Sequence, residues 1–278
     1  MIASGALSKM RAHWDENNPQ DPVSYHLPLD DQLIHLNPLI GGHIELTYQT
    51  KIFCTHCGRK TNKSFSQGYC YPCFKKLPQC DRCIVSPELC HYQAGTCRDS
   101  QWGEKNCFAH HYVYLSNTSG VKVGITRGTQ LPTRWLDQGA VQALPILRVE
   151  TRFQSGLVER LFANHVADKT NWRAMLKGQV EPLVLSEERD RLFALISDEF
   201  AKLEAEVGIS ALQKLEDAQQ AEINYPVLQY PTKVATHNFD KAEQVAGRLL
   251  GIKGQYLILD TGVINIRKFT GYQITLAA

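Results

Sequence analysis

Hydrophobic and polar residues alternate in several short stretches, a pattern typical of β-strands. Residues 43–48 and 121–126 alternate in this way, and residues 112–115 are rich in β-branched and aromatic side chains. Turn-forming residues at 117–120 separate the strand at 112–115 from the strand at 121–126. These two strands therefore predict a β-hairpin. Residues 146–153 predict a third strand after the hairpin.

Helical periodicity appears in three segments. Residues 133–138 predict a short helix that ends before Gly139. Ser155 is predicted to cap a second helix with one apolar face. Residues 186–208 predict one long amphipathic helix with an acidic outer face.

The last part of the chain has a different pattern. From residue 224 onward, glycines separate short apolar runs, among them residues 255–259 and 263–267, and this predicts a small β-barrel. Arg267 and Lys268 stand beside aromatic residues, an arrangement suited to stacking and charge contacts with nucleic acid. An exposed strand pair with no ligand is the alternative interpretation.

This mixture of elements predicts an α+β fold with five segments. In chain order they are an N-terminal segment with a β-strand (1–50), a cysteine-rich zinc-binding region (51–111), a small α/β sheet domain (112–180), an acidic helical segment (181–222) and a small β-rich, barrel-like domain (223–278).

Composition narrows the class of protein. The chain has 278 residues, of which 43% are hydrophobic and 21% charged, which is typical of a globular protein rather than a disordered one. It has no apolar run of about 18 residues and no secretory signal, so we expect a cytoplasmic protein with no membrane partner.

The formal net charge of +2 hides an uneven distribution along the chain. The net charges are −4 over residues 1–50, +5 over 51–111, +5 over 112–178, −6 over 179–221 and +2 over 222–278. A basic middle of this kind attracts polyanions through counterion release, although ordinary solvated charge explains it equally well.

All nine cysteines lie between residues 54 and 107, and in a reducing compartment such clustered thiols usually bind metal. The first four form two Cys-x2-Cys pairs, Cys54 with Cys57 and Cys70 with Cys73, with twelve residues between the pairs. A hairpin of that length brings the pairs together and completes a tetrahedral zinc site. A redox dithiol is the alternative, but it needs only one such pair.

The other five cysteines predict a second metal site with more than one choice of ligands. Cys90, Cys97, Cys107 and His111 have a spacing that resembles a CCCH zinc finger. The other choice combines the Cys80–Cys83 pair with two of the later ligands. An iron–sulfur cluster and buried free cysteines are the remaining alternatives.

Residues 112–175 carry a series of short motifs on the predicted hairpin and helices. These are Tyr112-Val113-Tyr114 on the first strand, Lys122-Val123-Gly124 on the second, Arg134 on the first helix, Glu159 on the later helix, and Asn171-Trp172. In this order they resemble the GIY-YIG nuclease superfamily, in particular its branch with Lys-Ile-Gly in the second strand and a Trp-containing strand or turn at the end. The chain as a whole resembles an uncharacterised bacterial family of zinc-knuckle proteins.

The resemblance implies a metal-dependent phosphodiester hydrolase. Tyr114 would position or activate the attacking water, Arg134 would neutralise the scissile phosphate, and Glu159 would hold one Mg²⁺ or Mn²⁺. Lys122 would add positive charge where the superfamily has its second tyrosine. The alternatives are a core aromatic for Tyr114, a helix cation for Arg134 and a surface acid for Glu159.

Nucleic acid is the partner that these features favour. The predicted nucleic-acid-binding residues are Lys122, Arg127, Arg134, Arg267 and Lys268. We expect a zinc-containing protein that binds structured RNA or DNA. A Mg²⁺- or Mn²⁺-dependent endonuclease is the alternative, and a scaffold whose acidic helix recruits a protein partner is the second alternative.

Overall fold

The computed structural model describes residues 1–166 and 171–278 and has a mixed α+β fold. The strands among the described residues are β1 (Ile2–Ala6), β2 (Arg11–His13), β3 (Ser24–Leu29), β4 (Gln32–His35), β5 (His43–Phe53), β6 (Lys60–Thr61), β7 (His111–Asn117), β8 (Val121–Arg127), β9 (Gln142–Val149), β10 (Leu212–Lys214), β11 (Ala221–Glu222), β12 (Gln244–Lys253), β13 (Tyr256–Leu259), β14 (Gly262–Asn265) and β15 (Tyr272–Ala277).

The α-helices are α1 (Tyr71–Lys76), α2 (Ser100–Cys107), α3 (Thr133–Gln138), α4 (Arg152–Ala163), α5 (Trp172–Leu176), α6 (Leu185–Leu195) and α7 (Ser197–Val207). Short 3-10 helices lie at Asn37–Leu39, Pro78–Cys80, Arg82–Ile84, Pro87–Leu89, Gly128–Gln130, Ile209–Ala211 and Ile266–Phe269.

The largest sheet joins the two ends of the chain. Its strand order is β1-β15-β5-β12-β13-β14, with β6 paired to β5, and all of its pairs are antiparallel. β15 lies between β1 and β5, and its residues Ile274 and Leu276 are fully buried in the core that this sheet shares with the small sheet β2-β3-β4. The segments 1–50 and 223–278 therefore do not form separate units, and the prediction of an independent C-terminal barrel is wrong.

The central sheet has the order β10-β9-β7-β8, with β11 paired to β9. The predicted hairpin is confirmed as β7 and β8, which pair from His111 with Arg127 to Asn117 with Val121. Helices α4, α6 and α7 supply Phe162, Leu192 and Phe200 to the apolar core on this sheet. The short helix predicted at 133–138 is confirmed as α3, and Gly139 ends it in the left-handed conformation with φ of 70°.

Three predicted elements differ from those in the structure. The strand predicted at 146–153 corresponds to β9, which ends at Val149. The helix after it, α4, is capped by Thr151 rather than by Ser155. Residues 186–208 form the two helices α6 and α7, which are separated by a non-helical residue, the buried Ile196. Trp172 begins the helix α5, which Asn171 caps, where the resemblance implied a strand or turn.

The cysteine-rich region packs directly on the central domain. Gly156 of α4 makes this close approach, since a Cβ at that position would lie 2.7 Å from the Cβ of Pro87 and 2.9 Å from the backbone nitrogen of Glu88. This contact places the cysteine-rich region, the hairpin β7–β8 and α4 around one surface.

Candidate functional site

A cavity of about 750 Å³ lies where the hairpin β7–β8, helices α3 and α4, the cysteine-rich region and the C-terminal 3-10 helix meet. We call it the basic cleft, because six cations and two carboxylates line it. The cations are Lys9, Lys122, Arg127, Arg134, Arg152 and Arg267, and the carboxylates are Asp137 and Glu159. Four of the five predicted nucleic-acid-binding residues are thus brought together in one place.

Lys268 is the predicted binding residue that lies outside the basic cleft. It lines a neighbouring cavity of about 700 Å³ together with Lys63 and Tyr272. Both cavities are lined by Gln67 and Arg267. Lys268 therefore belongs to an adjoining surface rather than to the same cleft.

Tyr114 is fully buried and lies behind the lining of the basic cleft. Its ring lies against Gly124, where a Cβ would be 2.6 Å from both the Cζ and the Oη of Tyr114. Its hydroxyl donates to the Oε1 of Gln138 at 3.1 Å. Burial raises the pKa of Tyr114, and the neighbouring Arg134 partly offsets this rise. The phenol therefore stays protonated, and Tyr114 is not among the residues that line the basic cleft.

Arg134 and Glu159 both line the basic cleft, and both act on Tyr114 from nearby. The Glu159 charge raises the pKa of Tyr114, while the charge of Arg134 and its hydrogen bond to the phenol lower it. The structure thus brings together the three residues for which the GIY-YIG resemblance implied catalytic roles.

Asp137 holds two of the cleft cations in place. Its Oδ2 lies 2.8 Å from the Nζ of Lys9 and 3.6 Å from a guanidinium nitrogen of Arg267. Arg267 also donates from Nε to the Oε1 of Gln67 at 2.6 Å. Burial lowers the pKa of Arg267, and Asp137 opposes this effect. Lys9 and Arg267 are therefore positioned by contacts within the protein.

Two further cleft arginines have partners in the cysteine-rich region. Arg127 donates to the Oδ1 of Asn106, and Arg152 donates to the carbonyl of Ile84. Lys9 and Arg152 were missed by the sequence analysis. Lys9 comes from the distant N-terminal segment, and the pattern placed Arg152 at the end of a strand rather than in the first turn of α4.

The first four cysteines form a compact group. The sulfur atoms of Cys54, Cys57, Cys70 and Cys73 all lie within 4.8 Å of one another, a spacing suited to one metal ion. We call this group the first cysteine cluster. The turn at Cys54 is closed by the Gly58 amide, which donates to the Cys54 carbonyl at 2.9 Å. Cys70 and Cys73 come from the start of α1.

Electrostatics favour a cation in the first cysteine cluster. Burial raises the pKa of Cys54, but backbone hydrogen bonds from Cys70, Cys57 and His56 lower it overall to about 6. Burial and the other three thiols raise the pKa of Cys73 to about 12. Four thiolates cannot form so close together without a positive charge between them, and Zn²⁺ supplies that charge. The group is consistent with the predicted zinc site.

The other cysteines separate into two places. Cys80 is buried near Ser66 and Cys54, and it does not line the cavity that contains Cys83. The remaining four line a cavity of about 20 Å³, together with Asp81 and His91. These four are Cys83, Cys90, Cys97 and Cys107. The sequence analysis overlooked Asp81, whose carboxylate lies within 4.8 Å of the ligand atoms of Cys83 and His91.

His111 differs from its predicted role as a zinc ligand. It is fully buried in β7, it does not line the small cysteine cavity, and its Nδ1 lies 2.8 Å from the Ala109 carbonyl. Burial lowers the pKa of His111 to about 4, so the ring stays neutral. His111 therefore does not share the small cavity that Cys90, Cys97 and Cys107 line.

Comparisons with known proteins identify a family but no activity. No curated protein and no solved structure is significantly similar to this chain. Among the described residues, no helix is both long enough and apolar enough to cross a membrane. Residues 41–274 match a family described as "Protein of unknown function (DUF2797)". Because this match covers most of the chain, the protein belongs to the DUF2797 family.

Proposed function

We propose that this protein binds nucleic acid through the basic cleft. The observation that carries the proposal is the meeting of six cations from distant parts of the sequence around one cavity, against only two carboxylates. Phosphate groups are recognised by such arrays of Arg and Lys, and the release of counterions adds affinity for a polymer of phosphates.

The fixed positions of the cations support this proposal. Asp137 and Gln67 hold Arg267, and Asn106 holds Arg127, so a bound phosphate chain meets side chains that are already ordered. Preordering reduces the entropy that binding would otherwise cost. Partial burial also strengthens the attraction, because the local dielectric constant is below that of water.

Zinc in the first cysteine cluster has a structural role in the proposal. Residues beside the cluster, Thr55, Gln67 and Tyr69 among them, line the basic cleft. The metal would hold this wall by joining the turn at Cys54 to the start of α1. Loss of the metal therefore alters the cleft as well as the cluster.

Cleavage of a phosphodiester is a second candidate function, favoured by the meeting of Tyr114, Arg134 and Glu159. Glu159 would hold one Mg²⁺ or Mn²⁺, and such an ion supplies charge stabilisation for the leaving oxygen. Arg134 would neutralise charge on the phosphate, and Tyr114 would keep Arg134 in place. Lys122 adds a cation at the cleft where the superfamily has a tyrosine.

Binding is tested with fluorescently labelled duplex DNA, single-stranded DNA and an RNA hairpin. Anisotropy titrations at about 50 to 200 mM salt give the dependence of affinity on ionic strength. Four or more phosphate contacts predict a slope of log K against log salt of roughly −3 or steeper. No affinity for any of the three nucleic acids would contradict the proposal and favour the protein-interaction scaffold.

Cleavage is tested on supercoiled plasmid and structured RNA with Mg²⁺ or Mn²⁺. Glu159→Gln removes the ligand carboxylate, and Glu206→Gln makes the same change at an exposed position of α7. Cleavage by the wild type and by Glu206→Gln, with none by Glu159→Gln, supports the hydrolytic function. Binding without cleavage in all three proteins leaves the cleft as a binding site only.

A further inference from the structure

Four cysteines from four different segments line one small cavity. Cys83 lies in the 3-10 helix Arg82–Ile84, Cys90 directly follows the 3-10 helix Pro87–Leu89, Cys97 lies in the next loop, and Cys107 ends α2. The cavity that they share measures about 20 Å³ and also contacts Trp102. A space of this size holds a single small ion or water.

The four thiols are close enough to influence one another. The charges of Asp81, Cys90, Cys107 and Cys97 all act on Cys83, and those of Cys90 and Cys97 also act on Cys107. The Sγ of Cys97 lies 3.4 Å from the Asp99 carbonyl, so metal binding would replace this weak contact. Four thiols around one cavity offer the donor set of a structural zinc site.

Arg152 lies beside the four thiols, and its positive charge is opposite to the net negative charge of a four-thiolate zinc site. Arg152 has a buried Nε with no hydrogen-bond partner among the described residues, and its charge acts on Cys107. In turn, Cys107 and Cys83 favour the charged form of Arg152. One divalent ion with four thiolates carries a net charge of about −2, which Arg152 offsets in part.

Asp81 and His91 also line the cavity, and both make contacts with other residues of the protein. The Asp81 carboxylate accepts from the Nε of Arg98 at 2.7 Å, and Arg98 also donates to the Phe74 and Leu77 carbonyls at 3.1 Å each. His91 has its Nδ1 2.8 Å from the Thr96 hydroxyl and its Nε2 3.5 Å from Asp81. These contacts tie the loops around the cavity to α1 of the first cysteine cluster.

We propose that Cys83, Cys90, Cys97 and Cys107 bind a second zinc ion as four thiolates, separate from the first cysteine cluster. The inference does not depend on what the basic cleft binds. It assigns Cys80 to the protein core near the first cluster and His111 to β7, outside the ligand set. The chain would thus contain two four-cysteine zinc sites, joined by the Asp81–Arg98 contact.

The first test uses the wild-type full chain, purified under reducing conditions with zinc. Elemental analysis should give two zinc ions per chain. X-ray absorption should show four sulfurs per zinc at about 2.3 Å, with no nitrogen or oxygen shell at about 2.0–2.1 Å. One zinc per chain, a nitrogen or oxygen shell from His91 and Asp81, or acid-labile sulfide would each overturn the assignment.

The second test compares Cys90→Ser with Cys80→Ser. Both variants remove one thiol, so they differ only in whether the thiol belongs to the proposed site. Cys90→Ser should hold one zinc ion less than the wild type, and Cys80→Ser should hold two. Circular dichroism identifies a variant that fails to fold, in which case the wild-type absorption spectrum decides. Loss of zinc from Cys80→Ser but not from Cys90→Ser would contradict the proposal.

Discussion

At the scale of single residues, the absence of a side chain at Gly124 leaves room for the ring of Tyr114. Because a Cβ at position 124 would lie 2.6 Å from the tyrosine ring, Gly124→Ala must displace Tyr114. We expect Gly124→Ala to lower the free energy of unfolding by about 1–3 kcal/mol, as overpacking of a core does. Urea denaturation measures this loss.

The control for this prediction is the pair of substitutions Gly124→Ala and Tyr114→Ala in one chain. The clash requires the ring, so the double variant should lose less stability than the sum of the two single variants. Simple additivity would show that the two residues do not compete for the same space.

Lys253 is a buried cation outside the basic cleft. It is fully buried, its Nζ has no hydrogen-bond partner among the described residues, and it lies about 5.5 Å from the ring centroids of Tyr225 and Tyr230. Burial lowers the pKa of Lys253 from its ordinary value of 10.5 to about 8. The folded protein therefore releases this proton at lower pH than the unfolded chain does.

This pKa shift predicts a pH-dependent effect of Lys253→Met. At pH 7 the buried charge opposes folding, so the variant should gain up to about 3 kcal/mol in the free energy of unfolding, less the cation–π attraction that it loses. Between pH 8 and 10.5 the unfolded wild type binds more protons, so its stability rises and the advantage of the variant shrinks. Urea denaturation at several pH values tests this, and a pH-independent difference would count against it.

At the scale of elements, α4 is the helix that connects the cysteine-rich region to the basic cleft. It carries both Arg152 and Glu159, and its N-terminus is closed by a capping box of Thr151 and Gln154. Thr151→Ala removes the cap and should lower the free energy of unfolding by about 1 kcal/mol. Thr151→Ser keeps the hydroxyl and should stay close to wild type, and equal losses in both variants would argue against the cap.

Local signals in the sequence predicted some elements well. Helix α3 was predicted with its observed ends, because Pro132 and Gly139 mark both of them chemically. The first cysteine cluster was predicted from two paired spacings that need only one hairpin. The prediction of one long helix at 186–208 was wrong. The apolar pattern continues through Ile196, which is buried, but the backbone is not helical at that residue.

At the scale of the whole molecule, long-range contacts decide what the sequence pattern cannot show. The position of β15 between β1 and β5 depends on pairing across almost the whole chain, so the C-terminal strands were wrongly assigned to a separate barrel. For the same reason Lys9 was missed, although Asp137 holds it in the basic cleft. The second cysteine group comes from two short 3-10 segments, a loop and the end of α2, and spacing alone does not identify this combination.

We expect the proposed zinc sites and the basic cleft to respond together to metal removal. Complete chelation should unfold the cysteine-rich region and lower the melting temperature. It should also weaken nucleic-acid binding, because Gln67 positions Arg267 from a loop of that region. Thermal melting and anisotropy of the same metal-free sample measure both effects. An unchanged melting temperature after complete metal removal would contradict the structural role of zinc.

The central claim is that the cations of the basic cleft contact phosphate. Its most direct test compares Arg134→Ala, inside the cleft, with Arg160→Ala, which removes the same charge at an exposed position of α4. Anisotropy across a salt series should show Arg134→Ala binding roughly tenfold more weakly than wild type, with a salt slope shallower by about 1. Arg160→Ala should match wild type, and equal effects of the two variants would contradict the account.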